Sequence, residues 1–413
     1  MTVNSDQTFD VAISGASFAG LALARGLVQA LGPDVKIALI DRAPGLGGPG
    51  TDARAFAIWA ASKNLLDVLG VWEKIAPDAQ AITSIEISDS ALDDGMRQTR
   101  LTYEAQTSDG ATAGYIVPAE VLHRALYNSV ATDPAITWIA PAEATSLALE
   151  DPAASITLTD GRVVRARLLV AADGRGSKLR EAAGIKTTGW GYDQTGIVAI
   201  VQFSEPHGGV AIQHFLPGGP FAILPMTDNR ACITWSSANE EAKRVTALDD
   251  AAFLAELDRR IGGRFGTISL SGSRQSWPLD LKMARGLVAH RFVLAGDAAH
   301  GVHPVAGQGV NLAFRDCAAL VEVLTEASRI GLDIGNADTL DHYARWRRFD
   351  SIMSAAAYDG LNRFFGLDNT VLRAGRGAAL GVVDRLPFLK QMILTEAAGL
   401  SGDVPKLLRG ERV

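Results

Sequence analysis

Two cysteines in 413 residues, Cys232 and Cys317, offer no CxxC spacing, so neither a disulfide framework nor a thiolate metal site is supported. Cysteine this scarce fits a reducing cytosol, and a cytoplasmic location is expected. Lysine and arginine never run beyond two in a row, and the net charge is -7. That argues against a protein whose main business is nucleic acid, which needs a basic patch or stripe. Long apolar runs are also missing. The longest uncharged run near the start, Val11 to Ala24, is 14 residues and holds two serines, short of the ~20 that cross a bilayer. The opening MTVNSDQTFD is polar and acidic, so no secretory signal is expected. No internal repeat or low-complexity tract is present.

Glycine, by contrast, is plentiful: 42 residues, or about 10% against a typical ~7%. With 47% hydrophobic residues, this favours a globular chain with many tight turns. The length exceeds one ordinary core and predicts two or three interleaved domains, able to bury a cofactor.

FDVAISGASFAGLALARGLVQALG opens with an apolar run, passes through a glycine turn and continues with Leu21, Leu23, Ala24, Leu27 and Leu31 at helical spacing. VKIALIDR then reads as a second buried strand, completing a parallel βαβ unit. A helix is predicted over 118–130, with Pro118 first. SLALE, SITLT and RVVRARLLVAADG follow as strands, with Asp160-Gly161 as a hairpin signal. Between about 186 and 284 short β-type runs dominate, predicting a mainly antiparallel sheet. HRFVLAGDAAH reads as one more buried strand, and a helix from Gly307 carries Val310, Phe314, Cys317, Val321 and Leu324 on one face. The expected fold class is therefore α/β. A discontinuous Rossmann-like dinucleotide domain (1–78, 108–185, 285–330) holds an inserted β-sheet domain (79–107, 186–284) and precedes a C-terminal helical region (331–413).

Three turns carry the chemistry. GASFAG places Gly15, Ser17 and Gly20 at GxGxxG spacing between strand and helix, where free N–H groups and positive potential suit a pyrophosphate. Asp41, 21 residues past Gly20 at the end of the second strand, has the position and acceptors for a ribose hydroxyl. In AADGRGS, Asp173 and Gly174 close a strand and Ser177 can cap the next helix. In AGDAAHGVHPVAGQGVNLAFRD, Gly296 and Asp297 end a strand, Pro304 stiffens the loop, and Gly307, Gln308 and Gly309 start a helix whose dipole favours negative charge in front of it.

These motifs, in this order, resemble those of class A FAD-dependent aromatic hydroxylases, the superfamily of p-hydroxybenzoate hydroxylase. TDARAFAIWAASKNLLDVLGVW, FLPGGPFAILPM, HPVAGQGVNLAFRD and AAGLSGDVPKLLRGE are similar to segments of the ubiquinone-biosynthesis hydroxylases, and the likeness spans nearly the whole chain. The departures are Ser17 in the fingerprint, Ala313 where glycine is usual, and VPAEVLHRAL where relatives often carry an Asn-Arg pair. The resemblance implies that Gly15, Ser17 and Gly20 cradle the FAD pyrophosphate, that Asp41 holds the adenosine ribose, and that Arg54 lies near the pyrophosphate and the nicotinamide's approach. Asp173 and Gly174 would sit between FAD and a transiently docked NADH or NADPH. Gly296 and Asp297 would meet the ribityl or pyrophosphate part. Gly307, Gln308, Gly309 and Asn311 would meet the flavin's pyrimidine edge, with Pro304 against the ring and Arg124 substituting for the missing Asn-Arg contact. The implied reaction uses NAD(P)H and O2, through a flavin C4a-hydroperoxide, to hydroxylate a polyprenylated phenol or quinol precursor of ubiquinone. No protein acid or base is required.

Other readings stay open. The scaffold also suits an isoprenoid reductase or a halogenase, although Trp190, Trp235 and Trp277 form no WxWxIP segment, and it suits an FAD-binding subunit acting through a biosynthetic complex. Asp297, His300 and His303 have metal-like spacing, but Gly301 and Pro304 break any helix presenting both imidazoles, so no metal is expected. Alternation puts His214 on one strand face with Ile212 and Leu216. A sheet-surface histidine is the plainer reading, with His214, Phe215 and Phe221 as pocket candidates. Cys317 is read as core. VLRAGRGAALGVVDRLPFLKQMIL interleaves apolar residues with arginines and Lys390, which fits a packed helix or a surface touching a membrane or partner.

Overall fold

The computed structural model describes residues 8–46, 52–92, 99–303, 307–366 and 370–413. Thr8–Ser14 (β1) is an apolar run, as a strand covered on both faces requires. It turns at Gly15 into Phe18–Leu31 (α1), and Ile37–Ile40 (β2), wholly buried, lies parallel beside it with Val11 opposite Ile37. The chain then leaves through Ala55–Trp59 (β3), Ser84–Asp89 (β4) and Leu101–Glu104 (β5). It returns by Gly114–Pro118 (β6) and Ala119–Val130 (α2) to Ile136–Ile139 (β7). Pro118 caps α2 in extended geometry rather than opening it. Ala154–Leu158 (β8) and Val163–Ala171 (β9) form the expected hairpin.

Thr187–Phe203 (β10), Val210–Leu216 (β11), Gly219–Pro225 (β12), Arg230–Ala238 (β13) and Gln275–Ala284 (β14) follow as a β-rich stretch. Phe292–Leu294 (β15) then re-enters the first sheet beside β9. The helices Gly309–Arg329 (α3), Ala337–Gly366 (α4), Thr370–Asp384 (α5) and Pro387–Ala397 (α6) complete the chain's main elements.

Five strands of the first sheet run β15-β9-β1-β2-β7, each of these pairs parallel, so the ends of these strands gather the turns after β1, β2, β9 and β15 at one edge. The second runs β14-β10-β13-β12-β11-β4-β5. It is antiparallel except between β4 and β11, where Ser84 lies opposite Val210 in parallel. One of its faces is covered by the helices Asn239–Thr246 and Asp250–Ile261 around Phe221, Ile233, Trp235 and Phe253. Its other face looks onto a cavity. The C-terminal helices tie back to this sheet: Arg376 of α5 pairs with Asp89 of β4 at 2.6 Å, both buried. Among the described residues no helix is long and apolar enough to cross a membrane.

Candidate cofactor and substrate site

The first turn is dictated by its own backbone. Gly15 has φ +105°, and a Cβ there would lie 2.3 Å from the Ala172 carbonyl oxygen. A Cβ on Gly20 would lie 1.8 Å from the Gly15 oxygen. These two glycines let α1 press onto the ends of β1 and β9. Ser17 needs no such freedom, since it caps α1 at φ -90°, ψ -163°, extended geometry open to any residue. Its departure from the fingerprint therefore costs the backbone nothing, and it lines the cavity. Asp41 accepts from the Ala16 N–H at 2.6 Å and the Ala43 N–H at 2.7 Å, which fixes its carboxylate against the turn. The α2 side chain that reaches this turn is His123, whose Nε2 lies 3.2 Å from the Ala16 oxygen and whose ring meets Phe18 edge-on. Arg124 is exposed and lies off the cavity wall.

The second turn is a brace for the third. Ser177 accepts from the Arg180 N–H at 3.0 Å, the predicted cap. The buried Arg180 donates to the Ala298 oxygen at 2.8 Å and the Arg175 oxygen at 3.0 Å. Arg175 donates to Asp280 Oδ1 at 2.6 Å and the Val302 oxygen at 2.5 Å, and its Nε lies 3.5 Å from Asp297 Oδ2. Gly174 and Arg175 line the cavity; Asp173 stands behind them, its carboxyl raised by burial although Ser177 and Arg180 oppose the shift. Neither arginine was singled out from sequence, although Arg175 lies inside AADGRGS and Arg180 three residues past its end.

The third turn rests on a buried ionic support. Asp316 Oδ2 accepts from the Gly296 N–H at 2.9 Å and lies 2.6 Å from His300 Nε2, while Oδ1 accepts from Arg347 at 2.8 Å. Burial alone would raise the Asp316 carboxyl, but His300 and Arg347 hold it below its ordinary value. Burial pushes His300 down, and Asp316 more than offsets it, leaving the imidazole raised. His300 and Gly301 also pair with Met283 and Lys282 of β14, joining this turn to the second sheet. His303 instead meets Tyr192 edge-on, and burial with Arg175 nearby lowers it to about 4. The two imidazoles thus serve separate neighbours, and among the described residues no group of three or more His, Cys, Asp or Glu could hold a metal. Pro304 lies outside the described residues.

Gly307, Gln308, Gly309 and Asn311 come together at the N-terminus of α3 on the cavity wall. Gln308 donates to the Ala397 oxygen at 3.3 Å. A Cβ on Gly309 would meet nothing within 4 Å, so there the missing side chain leaves open space. Asn311 Nδ2 donates to the Ala57 oxygen at 2.8 Å and the Gly307 oxygen at 3.0 Å, and Oδ1 accepts from the Trp59 N–H at 3.2 Å. Both its N–H donors are spent on the chain itself, making it a strut between α3 and β3. Ala313 fits where Gly296 lacks a side chain: a Cβ on that glycine would come 3.3 Å from the Ala313 methyl.

The cavity measures about 1730 Å³. That exceeds the roughly 300–1,000 Å³ of a single small-molecule site, leaving room for a cofactor and a substrate together. One wall carries Ser17, Asp297, Gln308 and Gly309; the other carries Ala211, Phe215, Leu224 and Trp277 from the second sheet. Arg54 stands at the side, paired with Asp52 at 2.6 Å and over the Phe56 ring. Of the three pocket candidates only Phe215 lines this space, stacked on Phe365 at 3.8 Å. Phe221 belongs to the core beneath the opposite face. His214 is on that face too, as alternation indicated, but buried and hydrogen-bonded to Ser88 at 2.6 Å because the strands there are covered.

The glycine-cradled N-termini of α1 and α3, both opening into one cavity, fit a dinucleotide carrying a ring with an anionic edge. Residues 8–349 match the FAD binding domain family. The chain belongs to this family of FAD-dependent monooxygenases. It is 39% identical over 415 residues to the ubiquinone hydroxylase UbiL of Rhodospirillum rubrum, covering 99% of this chain and 95% of that one. It is 31% identical to the 3-demethoxyubiquinol 3-hydroxylase of Escherichia coli, covering 96% and 100%. Among solved structures, p-nitrophenol 4-monooxygenase from Pseudomonas putida superposes with a TM-score of 0.78 over 96% of this chain and 99% of that one. At 17% identity that likeness speaks for the fold.

Proposed function

We propose that this protein hydroxylates the ring of an isoprenoid-tailed phenol or quinol on the way to ubiquinone, with NADH or NADPH as electron donor and O2 as oxidant. Bound FAD supplies the activation of O2. The chain's own residues bind, orient and exclude water. Ser17 and the first N–H groups of α1 face the pyrophosphate, Asp41 the ribose, and Arg54 and Asp297 the middle of the cofactor. The N-terminus of α3, at Gly307 to Gly309, meets the ring's pyrimidine edge, where its dipole favours negative charge. Asn311 fixes that terminus in place, and Gly174 and Arg175 border the side from which a nicotinamide approaches. The substrate ring sits against the second sheet near Phe215, Leu224 and Trp277.

The carrying observation is the single cavity that runs from the glycine-lined end of α3 to the apolar face of the second sheet. A tailed substrate partitions into lipid, so a peripheral contact with a membrane or a lipid-handling partner belongs to this reading. Deleting the gene and identifying the accumulating quinone intermediate tests it. An intermediate lacking one ring hydroxyl supports the reading. An unchanged quinone profile, with no phenol-stimulated NAD(P)H oxidation by the purified protein, contradicts it.

A further inference from the structure

One side of the cavity, here its arm, is formed by the last strands of the second sheet and by the C-terminal helices. Ile87 of β4, Leu101 and Tyr103 of β5, Leu380 and Val383 of α5 and Ile393 of α6 line it, and none of the six carries a charge. Along β5 the pattern is strict, Leu101 and Tyr103 buried and Thr102 and Glu104 exposed. β5 is the last strand of its sheet, and a bare edge strand invites pairing with any other chain. Here the helices satisfy it instead. The Thr102 N–H donates to Asp384 Oδ1 at 3.1 Å, Lys390 Nζ donates to the Thr102 oxygen at 2.8 Å, and Lys390 and Asp384 are 3.1 Å apart. The buried Asp89–Arg376 pair is a second tie between the same walls. Polar contacts therefore hold α5 and α6 against the sheet, while the six residues facing the enclosed space are uncharged, five of them aliphatic and the sixth the phenol Tyr103. Ile393 on this wall is 42% exposed, and Leu386 and Phe388, where α5 gives way to α6, are exposed as well.

We propose that this arm is the tail site: the isoprenoid chain of the substrate lies between β5 and α5–α6, with its far end at the exposed apolar rim. The inference rests on the ring-hydroxylation reading for the identity of the tail's other end. A branched, uncharged hydrocarbon matches walls that are mostly aliphatic, with the Tyr103 hydroxyl and the amide of Gln213, opposite Ile87, as the polar groups among them, and its attached ring would reach the flavin-side wall through the same continuous cavity.

The test uses the FAD-loaded full chain, the ring-less isoprenoid alcohol farnesol, and two phenols with the same ring, one bearing a farnesyl tail and one a methyl group in its place. Leu380→Trp and Val383→Trp fill the arm. Each is expected to weaken farnesol binding by roughly tenfold, about 1.4 kcal/mol, and to lower by a similar factor the ratio of kcat/KM for the farnesyl phenol to that for the methyl phenol. FAD content and melting temperature report on folding, and Leu380→Phe and Val383→Ile repeat the comparison if a tryptophan is not tolerated. Failure of the unaltered protein to bind farnesol, or an equal fall for both phenols in the variants, overturns the tail site. If neither phenol is turned over yet farnesol binds and the variants weaken it, the tail site stands and the ring-hydroxylation reading fails.

Discussion

Replacing Asn311 by alanine should loosen the end of α3 that faces the cofactor. The side chain is 9% exposed and makes three hydrogen bonds, to the Ala57 and Gly307 oxygens and from the Trp59 N–H. An ordinary hydrogen bond contributes about 0.5–1.5 kcal/mol net, while a buried partner left unsatisfied costs about 1–3 kcal/mol. Water from the adjoining cavity can reach part of the gap, so the expected loss for the apoprotein is about 2–4 kcal/mol. Denaturant titration measures it as a lower midpoint with unchanged slope, and fluorescence titration with FAD measures the accompanying drop in affinity. A stability loss below about 0.5 kcal/mol, the usual surface effect, would refute the strut. Lost FAD affinity with full stability would refute it too, making Asn311 a direct ligand.

Three further perturbations follow from the same geometry. His303 is depressed to about 4 from 6.5, so its stabilising share is complete above pH 6.5 and is lost as pH falls toward 4. About 2.5 pH units at 1.36 kcal/mol each amount to roughly 3 kcal/mol; urea midpoints across that range should fall less steeply in His303→Gln, and parallel profiles would count against the assignment. Arg180→Met, which keeps the apolar stem but removes both donors, should cost about 2–3 kcal/mol by the same titration, as hydrogen bonds from a charged group do. His123→Ala should reduce FAD retention through gel filtration by about 1 kcal/mol equivalent, whereas the exposed Arg124→Ala should stay within about 0.5 kcal/mol; the reverse order would restore Arg124 as the cofactor contact.

What could be read from sequence was whatever is settled locally. The strand-turn-helix at Gly15 is such a case, because its glycines answer to atoms a few residues away or to the next strand of the same sheet. The re-entry of residues 292–294 was legible for a similar reason: a buried run ending in Gly296-Asp297 has few other uses. Arg124 shows a signal passed over. Val121, Leu122, Ala125 and Leu126 define the buried side of α2, and position 124 is off it, while His123 lies near enough to reach Ala16. His214 shows the opposite limit. Alternation placed it on the correct face, but whether that face is open depends on helices some 25 to 45 positions later in the chain. The Asp316–His300–Arg347 support and the two arginines after Asp173 were hidden likewise, since each partner lies on a separate element and only the fold brings them together. Even the parallel pairing of β4 with β11 depends on where a distant segment docks.

The central claim is that Gly309, the first residue of α3, leaves room for one end of FAD, and Gly309→Val tests it most directly. A Cβ there meets no atom within 4 Å beyond its own stretch of helix, so the apoprotein should keep its stability within about 1 kcal/mol, the span of helix propensities. The FAD dissociation constant of the variant, measured by fluorescence quenching, should rise at least about tenfold, or about 1.4 kcal/mol. FAD bound as tightly as by the unaltered chain would contradict the account.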